Sequence, residues 1–216
     1  MPVLLYNLVG SPHCGFIRCL AKEIGVQLSL KDLDFGKGEQ RSGEYLKINP
    51  FHKVPAIDDS GFIVYESNAI AHYLLRKYAP DSQLYPNCIK TRTRIDQVLA
   101  AANGNINPSL GAFLRPRCVQ GTKHSADELK ACEENVVKVL ERLVGDSKFA
   151  AGDKITIADL CLIGHIIFCL EIPCVNKAKY PKLTAYYERV KSSLPYFDEI
   201  YGPVLVKIKK LWDRMK

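Results

Sequence analysis

A chain of 216 residues is long enough for one large domain or two small ones. With 47% hydrophobic and 25% charged residues it has the balance of a folded globular protein, not of a disordered or fibrous one. A net charge of +7 biases it towards anionic partners, but its Lys and Arg are spread along the chain without an aromatic ladder, which argues against nucleic acid. Eight scattered cysteines and no leading apolar signal read as reduced, mostly core thiols of a cytoplasmic protein. Apolar runs such as residues 160–170, broken by Gly164 and His165, are too short to span a bilayer, so no membrane segment is expected.

Val3-Leu4-Leu5-Tyr6 reads as a short buried strand ending at Gly10-Ser11-Pro12. A helical face follows in Phe16, Ile17, Leu20, Ala21 and Ile24, with Gly25 suited to a left-handed stop. Ser11, with Pro12 after it, lies where a helix begins, either as a simple N-cap or as a hydroxyl held among unsatisfied N–H groups where an anion could sit. Residues 28–33 alternate as a second, half-buried strand, so a parallel β-α-β unit is expected. After a polar loop, residues 44–48 suggest a short helix stopped before Asn49-Pro50. Val54-Pro55-Ala56-Ile57 and Phe62-Ile63-Val64-Tyr65, around Asp58-Asp59-Ser60-Gly61, form a β-hairpin in which Pro55 demands an edge, a bend or a cis bond. Glu66-Ser67 then opens a helix with Ile70, Tyr73, Leu74 and the stem of Lys77 on its core face. This order is a thioredoxin-like arrangement over residues 1–79.

Residues 80–87, with Pro80 and Pro86, form the linker. Residues 88–216 lack strand patterning and read as an all-α domain, with helices expected near 90–102, 126–144, 157–168, 183–192 and 204–215. Thr156 and Asp159 read as a capping box at the third of these, with Ile155 and Leu160 as its staple.

Gly10-Ser11-Pro12-His13-Cys14, residues 44–55, residues 61–70 and the segment at Thr156 together resemble a cytosolic glutathione transferase, most closely the serine-type delta and epsilon classes. The resemblance spans essentially the whole chain. It implies a thioredoxin-like glutathione domain, a helical domain, an active site in the cleft between them, and a homodimer. Glutathione is then a co-substrate, with no separate cofactor and no metal. A free thiol with a pKa of ~8.5 is only a few per cent thiolate near neutral pH, and lowering it by about two units takes roughly 2.7 kcal/mol. A hydroxyl donor at a helix N-terminus is suited to that. The resemblance makes Ser11 this donor and the catalytic residue. It implies that Val54, next to cis Pro55, pairs its backbone with the cysteinyl unit. Glu66 and Ser67 take the γ-glutamyl ammonium and carboxylate, His52 with Lys53 lies near the glycyl end, and Gln40 and Asn68 complete the set.

Three positions depart from those classes. Gln40 stands where a second histidine is usual, Asn68 where an arginine is usual, and Gly15 where a basic residue is common. Weaker glutathione binding follows, since two cations near an anionic ligand are gone. The electrophile pocket is expected from Leu110, Phe113, Leu114, Phe168 and Tyr201, with Leu205 and Trp212 as further candidates; each also fits an ordinary core stripe. Rival readings are a thiol-redox or peroxidase site using Cys14, zinc at Cys161, His165 and Cys169, and a non-catalytic protein of this fold that sequesters hydrophobic ligands. The basic C-terminal segment, Lys207 to Lys216, reads as a solvated face before it reads as a membrane-surface helix.

Overall fold

A computed structural model describes residues 1–214. The chain divides into two compact units, residues 1–83 and residues 84 onward.

The first unit carries a four-stranded sheet in the order β2-β1-β3-β4. Strands β1 (Val3–Asn7) and β2 (Leu28–Asp32) run parallel, joined by helix α1 (Pro12–Glu23). The hairpin β3 (Ala56–Asp59) and β4 (Phe62–Tyr65) adds antiparallel, with Leu5 opposite Ile57. A short helix α2 (Gly43–Leu46) precedes the hairpin and α3 (Ser67–Tyr78) follows it. Phe16, Ile17 and Leu20 of α1 and Ile70 and Leu74 of α3 are buried with Leu5 and Ile57 of the sheet, as their helical spacing required. Gly25 takes the left-handed conformation that ends α1, at φ 71°.

Two expectations need correcting here. The second strand is not half-buried: as the sheet edge it leaves Leu30 45% exposed, and the buried apolar residue is Leu33, just beyond its end. The third strand begins at Ala56 instead of Val54, because Pro55, in a cis peptide bond with Val54, has no N–H for the ladder. Lys77 does more than cover the core with its stem. Its ammonium reaches Asp59 at 2.7 Å, and Tyr73 and Tyr78 donate to the same carboxylate, tying α3 to the end of β3. Burial alone would raise the pKa of Asp59, but these three donors hold it below its ordinary value.

Among its described residues the second unit is built of helices and has no named strand: α4 (Ile89–Ala101), α5 (Asn107–Arg115), α6 (Ala126–Cys132), α7 (Lys138–Val144), α8 (Ile157–Leu170), α9 (Pro181–Ser192) and α10 (Phe197–Arg214). Helix α5 had no counterpart among the expected helices. Asn103, Gly104, Asn105 and Pro108 read as breakers, yet a π-helical turn at Ala102–Ile106 carries the chain from α4 into α5, and a second at Pro116–Gln120 extends it. Helix α10 likewise begins well before Val204, with Pro203 inside it; the expected end at Met215, and Lys216, lie outside the described residues. On α10, Val204, Ile208 and Trp212 are buried while Lys207, Lys209 and Lys210 are exposed, a solvated basic face on a packed helix. Among the described residues no helix is long and apolar enough to cross a membrane.

Helix α8 is buried on every face. Its start is the Thr156–Asp159 box, and Asp159 does more there than cap. Its Oδ2 accepts from the Thr156 N–H at 2.8 Å and hydroxyl at 3.0 Å, and its Oδ1 from the Ala150 N–H at 2.7 Å and the Tyr186 hydroxyl at 2.6 Å. One carboxylate thus joins α8, α9 and the segment before them.

Candidate active site

The turn from β1 to α1 is fixed at both ends. Asn7, buried at the end of β1, donates through Nδ2 to Asp32 Oδ1 at 2.5 Å and accepts from the Leu33 N–H at 2.9 Å, holding β1 against β2. Gly10 has φ 101°, which a Cβ would disfavour, and the Ser11 N–H closes the turn on the Leu8 carbonyl at 3.0 Å. Ser11 is the N-cap of α1: its Oγ accepts from the Cys14 N–H at 3.2 Å. The cap uses a lone pair and leaves the hydroxyl proton to donate elsewhere, so the N-cap and anion-stabilising roles are compatible in one side chain. Ser11 is half-buried, which leaves it reachable.

Two further side chains near this turn, the rival Cys14 and Tyr6, are packed away. Cys14 is 1% exposed, and burial pushes its thiol up to about 11 despite the Ser11 hydrogen bond, the opposite of a reactive low-pKa cysteine. Tyr6 packs edge-on against Tyr45, ring centres 5.3 Å apart, in a small cluster with Leu33 and Ala56, and burial raises its pKa.

Helix α3 begins beside α1. Glu66 precedes it with φ 69°, a conformation unusual for a residue with a side chain, and Ile70 makes the first intrahelical bond, to the Glu66 carbonyl. The N–H groups of Ser67, Asn68 and Ala69 therefore have no partner within the helix. Ser67 is 4% exposed, and its Oγ lies 3.3 Å from Nδ1 of His13, on the first turn of α1. That contact brings the starts of two helices together, each with the positive end of its dipole towards the same region. His13 received no role in the sequence analysis. Its place two residues after Ser11 was the available signal.

A second group shapes the entry to β3. Asn49, buried, donates through Nδ2 to the Lys53 carbonyl at 2.8 Å and accepts from the Phe51 N–H at 3.0 Å; the Tyr45 hydroxyl donates to the same Lys53 carbonyl at 2.6 Å. His52, at φ 54°, and Lys53 are both exposed on this clamped loop. Among the described residues no hydrogen bond engages the Val54 backbone, which lies just outside the ladder. Asn49 and Tyr45 were missed from sequence, since their partner is a carbonyl and carbonyls carry no sequence signature.

Gln40 sits on the single turn Glu39–Arg41, in a loop held by Asp34, which accepts from the Gly36 and Lys37 N–H groups, and by Glu39, which accepts from the Asp34 N–H. The side-chain oxygens of Gln40 and Asn68 are both buried and without a hydrogen-bond partner, a cost that an added donor would relieve.

In the helical unit, Leu110, Phe113, Phe168 and Tyr201 are buried and Leu114 is half-buried. Phe113 lies under the Arg117 guanidinium and near Trp212, and Tyr201 packs on Phe197, so these rings form core contacts. Cys161, His165 and Cys169 are all buried in α8, with His165 Nδ1 3.0 Å from the Cys161 carbonyl oxygen. Among the described residues no group of three or more His, Cys, Asp or Glu is placed to hold a metal ion.

Two family models match the chain: the glutathione S-transferase N-terminal domain over residues 1–76 and the C-terminal domain over residues 74–193. Solved structures match from end to end. A Nilaparvata lugens delta-class glutathione transferase is 30% identical, with all of both chains covered and a TM-score of 0.87. A housefly (Musca domestica) epsilon-class glutathione S-transferase is 26% identical, with 98% of each chain covered and a TM-score of 0.87. A Drosophila mojavensis glutathione transferase homologue, solved with bound glutathione, is 28% identical over 99% of this chain and 98% of its own, with a TM-score of 0.86. With a thioredoxin-like sheet and a helical unit matched in order by both domain models, the chain belongs to the glutathione S-transferase family.

Proposed function

We propose that this protein conjugates the thiolate of glutathione to hydrophobic electrophiles, with the Ser11 hydroxyl donating to that thiolate. The observation that carries the reading is the Ser11 hydroxyl itself: it caps α1 as an acceptor, so its proton is available to an anion at a helix N-terminus. The unengaged Val54 backbone beside cis Pro55 suits an extended peptide such as the cysteinyl unit of glutathione. The N–H groups at the start of α3, with Ser67 held by His13, suit the γ-glutamyl carboxylate. Glu66 suits its ammonium, and Gln40 and Asn68, whose side-chain oxygens are buried and unpartnered, complete the set. His52 and Lys53 are the proposed contacts of the glycyl carboxylate. The glutathione-bound Drosophila relative supports this ligand.

The electrophile is taken by the helical unit, with Leu110, Phe113, Leu114, Phe168 and Tyr201 as its proposed lining; half-buried Leu114 is the best supported of these. The protein acts as a cytoplasmic homodimer. The second reading is the sequestering protein, favoured by one observation: Gln40 and Asn68 carry no charge where the resembled classes have cations. Steady-state conjugation of 1-chloro-2,4-dinitrobenzene, run beside calorimetric titration with glutathione, separates the two. Turnover saturating in glutathione supports the enzyme; glutathione binding without turnover overturns it in favour of sequestration.

A further inference from the structure

Where α1 and α3 start, one side chain from each meets the other. Ser67 Oγ, buried, lies 3.3 Å from Nδ1 of half-buried His13. A hydroxyl has one proton to give and two lone pairs. Against a neutral imidazole whose proton sits on Nε2, Ser67 must donate that proton to Nδ1. Against an imidazolium, Ser67 accepts from Nδ1–H, and its own proton is left to donate to a third group. The third group available is an anion at the N–H groups of Ser67, Asn68 and Ala69, which have no partner within the helix.

In the first turns of the two helices, residues 12–15 and 67–70, His13 is the one residue that can carry a positive charge. The other charged and titratable groups of α1 and α3 near these starts are Glu66, next to Ser67, and Arg18, five residues along α1; His72 and Arg76 lie more than a turn further along α3. Cys14 adds no charge, since burial keeps its thiol protonated. We propose that His13 is a positioning residue for glutathione: as the imidazolium it turns the Ser67 hydroxyl towards the γ-glutamyl carboxylate and supplies the positive charge that Asn68 does not.

The inference rests on the conjugation reading for its ligand, and adds a property which that reading does not require. The positive ends of two helix dipoles oppose the charge on His13 until a carboxylate arrives, so ligand and proton are taken up together, the proton coming from solvent. The complex favours the protonated imidazole. Its contribution to affinity is therefore complete below the ordinary imidazole range near pH ~6.5, and is lost as pH rises beyond that range.

The test uses the full-length protein and S-hexylglutathione, whose blocked thiol cannot titrate, with binding read by calorimetry from pH 5.5 to about 7.5. The dissociation constant should rise about fivefold across that range, and runs in buffers of different ionisation enthalpy should show uptake of a fraction of a proton near neutral pH. H13Q should abolish both effects, and H52Q, at the proposed glycyl end, should leave both in place. Because His13 acts through Ser67, adding H13Q to S67A should change binding little. Circular dichroism checks that each variant remains folded. A wild type that neither binds S-hexylglutathione nor conjugates glutathione would overturn the conjugation reading and this inference with it. With binding and turnover present, a wild-type affinity that is flat with pH, a pH dependence that survives H13Q or vanishes in H52Q, or an effect of H13Q undiminished in S67A would overturn the role of His13 alone.

Discussion

Replacing Ser11 with alanine removes two separable things. As N-cap, Ser11 accepts from the Cys14 N–H at 3.2 Å, and losing such a cap costs about 1 kcal/mol of stability. As thiolate donor, it is asked to help lower a thiol pKa by about two units, or roughly 2.7 kcal/mol, which is a factor of about 10² in the thiolate fraction well below both pKa values. The two losses part company in S11G, because glycine at an N-cap costs only a few tenths of a kcal/mol while still removing the hydroxyl. Both variants should therefore shift the rising limb of kcat against pH upwards by up to about two units, and only S11A should lose appreciable thermal stability. Turnover near pH 6 should fall by roughly 10²-fold, and the gap should close above about pH 9, where the thiol ionises without help. The assay is the conjugation rate at saturating glutathione from pH 5.5 to about 9.5, with the ultraviolet absorbance of the bound thiolate read in parallel. A limb that stays at the wild-type pH in both variants would refute the donor role and leave Ser11 as a cap alone.

Restoring the absent cations as Q40H and N68R should tighten glutathione binding by at most about fivefold each, the scale of a partly exposed ion pair, as read by calorimetry. A wild-type dissociation constant already in the low micromolar range would contradict the weak binding expected of this chain. Asp159→Ala strips four hydrogen bonds from a buried carboxylate and strands the donors of Ala150, Thr156 and Tyr186, so a loss of about 3 kcal/mol or more is expected by chemical denaturation. Glu128 is held at a pKa of about 2, chiefly by the buried Arg117 guanidinium that donates to both its oxygens. Its folded value is depressed, so its contribution is complete above the unfolded carboxylate range near ~4.3 and is lost as pH falls towards about 2. Hydrogen exchange over α5 and α6 should therefore quicken across that window in the wild type and show no such step in E128Q.

What the sequence settled by itself was local. Ser11 before Pro12, Gly25 after Ile24, and Thr156 three residues ahead of Asp159 are legible because the backbone groups they satisfy lie within one helical turn, so the pattern along the chain is the interaction itself. The alternation at residues 28–33 was also real, but alternation reports a pleat and does not say whether anything covers it. Only the strand order, which leaves β2 at the edge, decided that Leu30 faces outwards. The breakers at Asn103–Pro108 and at Pro203 were outvoted because propensity is worth one to a few kcal/mol while the buried faces on either side, Val98, Leu99, Ile106 and Leu110 in the first case, are worth more together. The remaining features rest on partners far apart in the chain. Ser67 meets His13 across 54 residues, Asp159 meets Tyr186 across 27, and the Lys53 carbonyl is claimed by Asn49 and Tyr45. A side chain's donors and acceptors are written in the sequence, but which of them meet is set by packing, and it was packing that turned a capped helix and a polar dipeptide into one candidate site.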